Sequence, residues 1–382
     1  MTNVIVVGAG ATGLATAQAL KAAGIEVRVL EKEPRVAEVW RGRHRQLHLN
    51  THRRLSGLPG MTMPPAYGAF PARDDMVRYL EDYAATITPQ ISFDTPVSRV
   101  DKAKTGWEIE TPGDTLHADN VVIATGADRV PYMPDWPGTD GFGGEILHAA
   151  NFGDAARYRG RRVLVVGAGN SGTDLLNHLA SVETGEVWVS VRHGPAMAPT
   201  RFLGFPTQLI SPLLDALPLA AADRVLDLTD WLAFGNLRKH GLPRHWQGGA
   251  TRLAETSTAP AIDKGFVAAL KAGKVTVVPE IERFEPTAVR LTDGQRVEPD
   301  IVVAATGYRT GLAPMLGHLG VLDEREAPVV HGDQQDPRWP GLWFNGMRPP
   351  LSGTLGAVGR TGQRIAAAII ASSPADADKG PA

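Results

Sequence analysis

Val4-Ile5-Val6-Val7-Gly8-Ala9-Gly10-Ala11-Thr12-Gly13 decides the fold, because Val163-Leu164-Val165-Val166-Gly167-Ala168-Gly169-Asn170-Ser171-Gly172 repeats it in mid-chain. In each copy an apolar run reads as a buried strand, spaced glycines as a tight turn, and the residues beyond as a helix. Such a unit holds a pyrophosphate on backbone N–H groups at a helix N-terminus. One copy is a weak signal. Two in one chain point to two dinucleotides, hence to electron transfer between a flavin and a nicotinamide.

The residue closing the next strand separates the two units. After Val27-Arg28-Val29-Leu30 comes Glu31, an acid suited to accept hydrogen bonds from an adenosine ribose without a 2′-phosphate. The same offset in the second unit lands on Ser190, with Arg192 just beyond and His193 next to it. A carboxylate would repel a 2′-phosphate, whereas a guanidinium pairs with it, often bidentately. The first unit therefore reads as the FAD site and the second as the NADPH site. Gly8, Gly10, Gly13, Glu31 and Lys32 fall to the first; Gly167, Gly169, Asn170, Ser171, Gly172, Ser190 and Arg192 fall to the second.

Composition narrows the chemistry. The chain has 382 residues, 42 glycines and 43% hydrophobic residues, as an α/β enzyme of two or three domains would. A net charge of −2 leaves no electrostatic footprint for nucleic acid. No apolar run approaches the roughly 18 residues that span a bilayer, and the N-terminal apolar stretch carries the glycine turn, so a cytoplasmic protein without a transmembrane segment is expected. There is no cysteine. Electron delivery to a protein dithiol is excluded, as are zinc-thiolate and iron–sulfur sites, and no metal site is expected. Molecular oxygen is the obvious acceptor.

The organisation is discontinuous: an FAD domain at 1–155 and 279–382, and an NADPH domain at 156–278 carrying a helical insertion at about 202–245. Val302-Val303-Ala304-Ala305-Thr306-Gly307 echoes Val121-Val122-Ile123-Ala124-Thr125-Gly126, which marks two equivalent crossing points and adds Thr125, Gly126, Thr306 and Gly307 to the cofactor-binding set. The insertion is read as a lid over the substrate cavity or part of the core, with a homodimer contact and a shallow membrane-binding patch as the alternatives, and with Trp231 and Phe234 as aromatic pocket candidates. Residues 373–382, rich in Ala, Asp, Pro and Lys, read as disordered.

Phe142-Gly143-Gly144-Glu145-Ile146-Leu147-His148-Ala149-Ala150-Asn151-Phe152 resembles the F-x-G-x-x-x-H-x-x-x-(Y/F) signature of class B flavin-containing monooxygenases, and Ala305-Thr306-Gly307-Tyr308 resembles their A-T-G-Y motif. Leu47-His48-Leu49, Leu58-Pro59-Gly60 and Thr258-Ala259-Pro260-Ala261-Ile262-Asp263 make the chain most similar to the YUCCA-type indole-3-pyruvate monooxygenases. The resemblance implies two Rossmann-like domains, the NADPH domain inserted into the FAD domain. It also implies hydride transfer from NADPH to FAD, a C4a-hydroperoxyflavin, and insertion of one oxygen atom into a small organic substrate. Oxidative decarboxylation of an aryl-2-oxo acid and N- or S-oxygenation are the candidate reactions. An NADPH oxidase or FAD reductase releasing hydrogen peroxide, and a slow redox sensor, are the alternatives.

The resemblance places Trp40 and Val97 with the FAD site and Asn50 beside the flavin, where an amide serves the oxygen adduct or bound NADP⁺. Where many relatives have Gly-Gly-x-Trp, this chain has Ala37-Glu38-Val39-Trp40. His148 reads as a structural hydrogen-bonder, Tyr308 as packing, and Arg41, Arg43, Arg45, Arg53 and Arg54 as solvated surface.

Overall fold

The computed structural model describes residues 2–87 and 90–372; the segment 373–382, read as disordered from its composition, lies outside them. Its frame is two five-stranded sheets in which every pairing is parallel. The first runs Leu342–Phe344, Asn120–Ile123, Asn3–Val7, Glu26–Leu30, Gln90–Ser92. The second runs Glu145–His148, Ile301–Ala304, Val163–Val166, Val187–Ser190, Thr276–Val278. In both, the strand leading into the glycine turn is central, with the next strand on one side and the crossing-point strand on the other.

The central strands are apolar over Val4–Val7 and Val163–Val166 because both faces of each parallel sheet are covered, one by helices and the other largely by a small antiparallel sheet: Val4, Val6, Val163, Leu164 and Val165 are all buried. The first sheet is closed from the far end of the chain. Helix Thr354–Ala371 lies along helix Ala11–Ala22, and Gly362 allows the approach, a Cβ there meeting Thr16 Cα at 3.2 Å. Buried Asn345 locks the contact by donating to Thr16 Oγ1 at 2.9 Å and to the Val358 carbonyl at 3.0 Å.

The domain boundaries fall elsewhere than the local pattern indicates. Strand Glu145–His148, expected in the first domain, pairs with Ile301–Ala304 in the second sheet. The return expected at residue 279 comes after Ala304. Residues Ile281 to Val297 form a small antiparallel sheet whose Ile281, Phe284, Val289 and Leu291 share a core with Leu164 and Val302. These pairings join segments far apart in sequence, so no local periodicity records them.

The insertion begins as a hairpin, Arg201–Phe202 with Phe205–Pro206, and turns helical only from Thr207. Helices Ser211–Asp215 and Leu219–Phe234 follow. Asp215 ties it to the first domain by accepting the Leu351 and Ser352 N–H groups at 2.8 and 3.1 Å. The aromatic candidates do not line the cavity. Trp231 is 63% exposed, and Phe234 is buried in the core of the second domain. Among the described residues no helix is long and apolar enough to cross a membrane.

Candidate functional site

Both glycine turns open onto one cavity of about 1450 Å³ between the sheets. That exceeds the roughly 300–1,000 Å³ typical of a single small-molecule site, as two dinucleotides require. At each turn the first glycine is left-handed (φ 106° at Gly8, 97° at Gly167), and a Cβ would press on a crossing-turn carbonyl, Ala124 O at 2.9 Å or Ala305 O at 2.8 Å. The third glycine, Gly13 or Gly172, packs its Cα against the carbonyl of the first, leaving no space for a side chain. The middle glycine, Gly10 or Gly169, caps its helix with nothing within 4 Å of where a Cβ would stand and with no side-chain cap. Open helix N-termini with unpaired N–H groups fit pyrophosphates.

In the first half Glu31 stands on the cavity wall. Its carboxylate accepts the Ala9 N–H at 2.6 Å and the Glu33 N–H at 3.0 Å, which fixes it and leaves lone pairs for a ribose. Trp40 and Gly126 also line the cavity. Lys32 and Val97 do not: Lys32 turns outward to Glu33 at 2.9 Å, and Val97 packs in the core under the first sheet. Thr125 sits behind the wall, its buried hydroxyl without a partner.

In the second half Gly167, Gly169, Asn170, Ser171, Ser190 and Arg192 line the cavity. The Ser190 hydroxyl donates to the Pro279 carbonyl at 2.8 Å and holds two strand ends together, so its hydrogen is not free for a phosphate. Arg192 is exposed and 3.8 Å from Glu280. Arg252 lines the same region, and both burial and the nearby Arg192 charge lower its pKa. No sequence signal had singled it out. At the crossing, Thr306 donates to the Tyr132 carbonyl, and left-handed Gly307 (φ 87°) lines the cavity.

His148 is structural. Its Nδ1 accepts the Ala150 N–H at 3.0 Å and its Nε2 faces the Gly307 carbonyl at 3.0 Å, a pattern met by the neutral ring with the proton on Nε2. Burial first, and the Arg43 charge besides, push its pKa down. In the same signature, a Cβ at Gly144 would press on the Phe142 ring and the Asp300 carbonyl. Arg43, expected on the surface, instead lies on the cavity wall, bonded to the Tyr308 hydroxyl and to the Asp128 carbonyl at 3.2 Å.

Asn50 lies where the two halves meet. Its Nδ2 donates to Asn170 Oδ1 at 3.2 Å, and its Oδ1 accepts from Lys264 at 3.3 Å. Behind it, Asp174 gathers His44 (3.1 Å), His178 (3.7 Å) and Lys264 (3.9 Å). Burial alone would raise the Asp174 carboxyl, but the two histidines and Lys264 hold it well below the usual carboxylate range. His44, Asp174 and His178 have the donor set of a metal site, yet the Lys264 ammonium already supplies the countercharge and would repel a cation.

The family described as pyridine nucleotide-disulphide oxidoreductase matches residues 5–201, just over half of the chain. The probable indole-3-pyruvate monooxygenase YUCCA8 of Arabidopsis thaliana is 32% identical over 324 residues, 81% of this chain and 75% of that protein. The indole-3-pyruvate monooxygenase YUCCA1 of Oryza sativa subsp. japonica is 34% identical over 331 residues, 84% and 80% of the two chains. Among solved structures, a flavin monooxygenase from Stenotrophomonas maltophilia superposes with a TM-score of 0.74 at 23% identity, covering 97% of this chain and 99% of that one. Without a cysteine the chain cannot perform the disulphide chemistry in that family's description. The protein belongs to the pyridine nucleotide-disulphide oxidoreductase family, and within it to the FAD- and NADPH-dependent flavin monooxygenases that include the YUCCA enzymes.

Proposed function

We propose that FAD occupies the turn at Gly8–Gly13 and NADPH the turn at Gly167–Gly172, and that the substrate is an aryl-2-oxo acid undergoing oxidative decarboxylation. The observation that carries this reading is the single cavity joining two open helix N-termini, with an acid fixed at one adenosine position and arginines at the other. The bound cofactors supply the electrons and the oxygen activation; the protein supplies position, hydrogen bonds and exclusion of water. Glu31 holds one ribose, and Arg192 with Arg252 holds the 2′-phosphate. Asn50 directs an N–H at the reacting centre. Ile210, Leu214 and Leu226 of the insertion, with Leu351 and Leu355 of the closing segment, give the apolar wall an aromatic substrate needs. Arg325 and Arg348 stand on that wall as cations for a carboxylate.

NADPH consumption and oxygen uptake, measured with peroxide against 2-oxo acids, amines, sulfides and ketones, test the reading. A 2-oxo acid that raises turnover and releases carbon dioxide with little peroxide supports it. Coupled turnover only with an amine or sulfide moves the substrate class, and stoichiometric peroxide with every compound leaves an NADPH oxidase.

A further inference from the structure

The Asn50 amide could be turned either way round, because its two ends are nearly the same size. Its surroundings permit one orientation. The Lys264 ammonium only donates, so the atom facing it must be Oδ1. At the other end Asn170 spends its Nδ2 on two carbonyls, Ala259 and Pro260, both at 3.0 Å, so its Oδ1 must face Asn50 Nδ2. An ammonium at one end and two carbonyls at the other thus set the direction of the whole chain. One N–H of Asn50 goes to Asn170, and the second is left for the cavity that Asn50 lines.

Lys264 is itself held in place. Asn177 accepts the Lys264 N–H at 3.0 Å and the Phe266 N–H at 2.9 Å, and donates to the Ile262 carbonyl at 3.2 Å, clamping the loop to helix Asn170–Leu179. Asp174, from the same helix, pairs with the ammonium at 3.9 Å. The Lys264 side chain is 26% exposed, and its partial loss of hydration lowers its pKa while Asp174 opposes that. Asp174 in turn is held by His44 from the other half of the molecule.

We propose that Lys264 is a positioning residue for oxygenation, fixing the Asn50 amide so that its N–H points into the cavity between the two halves. The proposal rests on the role assigned to Asn50 above. It gives this cation a task that no cofactor fingerprint records, and it makes the donor appear only when both halves are docked, since Asn50 belongs to the first and Lys264 to the second.

The test is a double-variant cycle with Lys264→Met, which keeps length and loses the charge, and Asn50→Asp, which keeps an acceptor and loses the N–H donor. Two quantities are read on the flavin-loaded protein: the NADP⁺ dissociation constant by calorimetry, and the share of consumed NADPH recovered as peroxide. Each single variant should weaken NADP⁺ binding and raise the peroxide share, by roughly three- to tenfold for one lost hydrogen bond. The double variant should be no worse than Asn50→Asp alone, because Lys264 acts through Asn50. Lys264→Gln can present either a donor or an acceptor to Asn50, so it should fall between wild type and Lys264→Met. It serves in place of Lys264→Met should that variant not fold. Unchanged values in the lysine variants, or additive effects in the double variant, overturn the proposal. Absence of substrate-coupled oxygen uptake in the wild type would overturn the proposed function instead, and the calorimetric cycle would still decide the role of Lys264.

Discussion

The two halves build the same turn and use it for different ends. Gly8 and Gly167 differ by 9° in φ (106° against 97°), and a Cβ at either would stand 2.9 or 2.8 Å from the equivalent carbonyl. Gly8 N–H reaches the Leu30 carbonyl at 2.7 Å, and Gly167 N–H the Ser190 carbonyl at 2.9 Å. The backbone is fixed by sterics that any pyrophosphate site must meet. What diverges lies just past the next strand: Glu31 there is clamped by backbone amides, whereas in the second half Ser190 still belongs to its strand as the counterpart of Leu30 and Val191 stands where Glu31 does, which corrects the equal-offset reading and leaves the second half to Arg192 and Arg252. On the proposed assignment the turn holds what all dinucleotides share, and the strand end distinguishes them.

The largest effect that could break this equivalence comes from the glycines. Gly13→Ala and Gly172→Ala would each drive a Cβ into the carbonyl of the first glycine. Each should cost about 3 kcal/mol or more of stability, seen as a lowered midpoint in urea. Gly10→Ala meets nothing in the protein, so it should melt with the wild type yet purify with little flavin. A Gly10→Ala protein that retains its full flavin would show that this turn does not cradle the pyrophosphate.

The halves also titrate in opposite senses. Burial, with Arg348 and Arg364 nearby, pushes His331 of the first half down to about 4. The unfolded chain takes up that proton near pH 6.5, so the first half loses stability as pH falls from about 6.5 to 4, by about 3 kcal/mol in all. Burial, helped by Asp227 and opposed by His245 and Arg244, pushes Asp230 of the insertion up to about 6. The folded insertion holds that proton more tightly than the unfolded chain, so it loses stability as pH rises from about 4 to 6. Hydrogen exchange at pH 4.5 and 6.5, corrected for intrinsic rates, should show residues 321–347 opening in acid while helix Leu219–Phe234 closes. Parallel behaviour of the two segments would remove the contrast.

A smaller effect tests the cofactor assignment. Arg192 is 70% exposed, so its contact with a 2′-phosphate is screened. Arg192→Ala should reduce the preference for NADPH over NADH by about fivefold, near 1 kcal/mol, as read from the ratio of kcat/KM values. An unchanged ratio would leave Arg252 as the phosphate ligand or remove the assignment altogether.

The glycine turns, the presence of Glu31 and Arg192 on the cavity wall, and the echo of 121–126 in 302–307 were legible because each is local: one strand, one turn, a few residues. The return of the chain was not, because Ile301–Ala304 finds its partners in Val163–Val166 and Glu145–His148. Nor was the Asn50 chain, which collects His44, Lys264 and the helix carrying Asn170 and Asp174 from three separate segments. Trp231 misled for the converse reason. Helical spacing marks a face but not whether anything covers it, and this face is exposed.

Ala37 offers the finest test, because it lies where the first half has no counterpart in the second. Its φ of 63° and ψ of 16° are left-handed, the conformation a glycine would take at the start of Glu38–Arg41. For a residue with a Cβ that conformation costs roughly 1–2 kcal/mol, whereas glycine would give back about 0.5–1 kcal/mol in unfolded-state entropy. Ala37→Gly should therefore stabilise the protein by about 0.5 kcal/mol, a rise of about 1 °C in Tm. Opposing this, the Ala37 side chain is 5% exposed and belongs to the core of the first half. A fall in Tm would mean that its packing outweighs the strain, and that the backbone beside Trp40 is held by the methyl group rather than in spite of it.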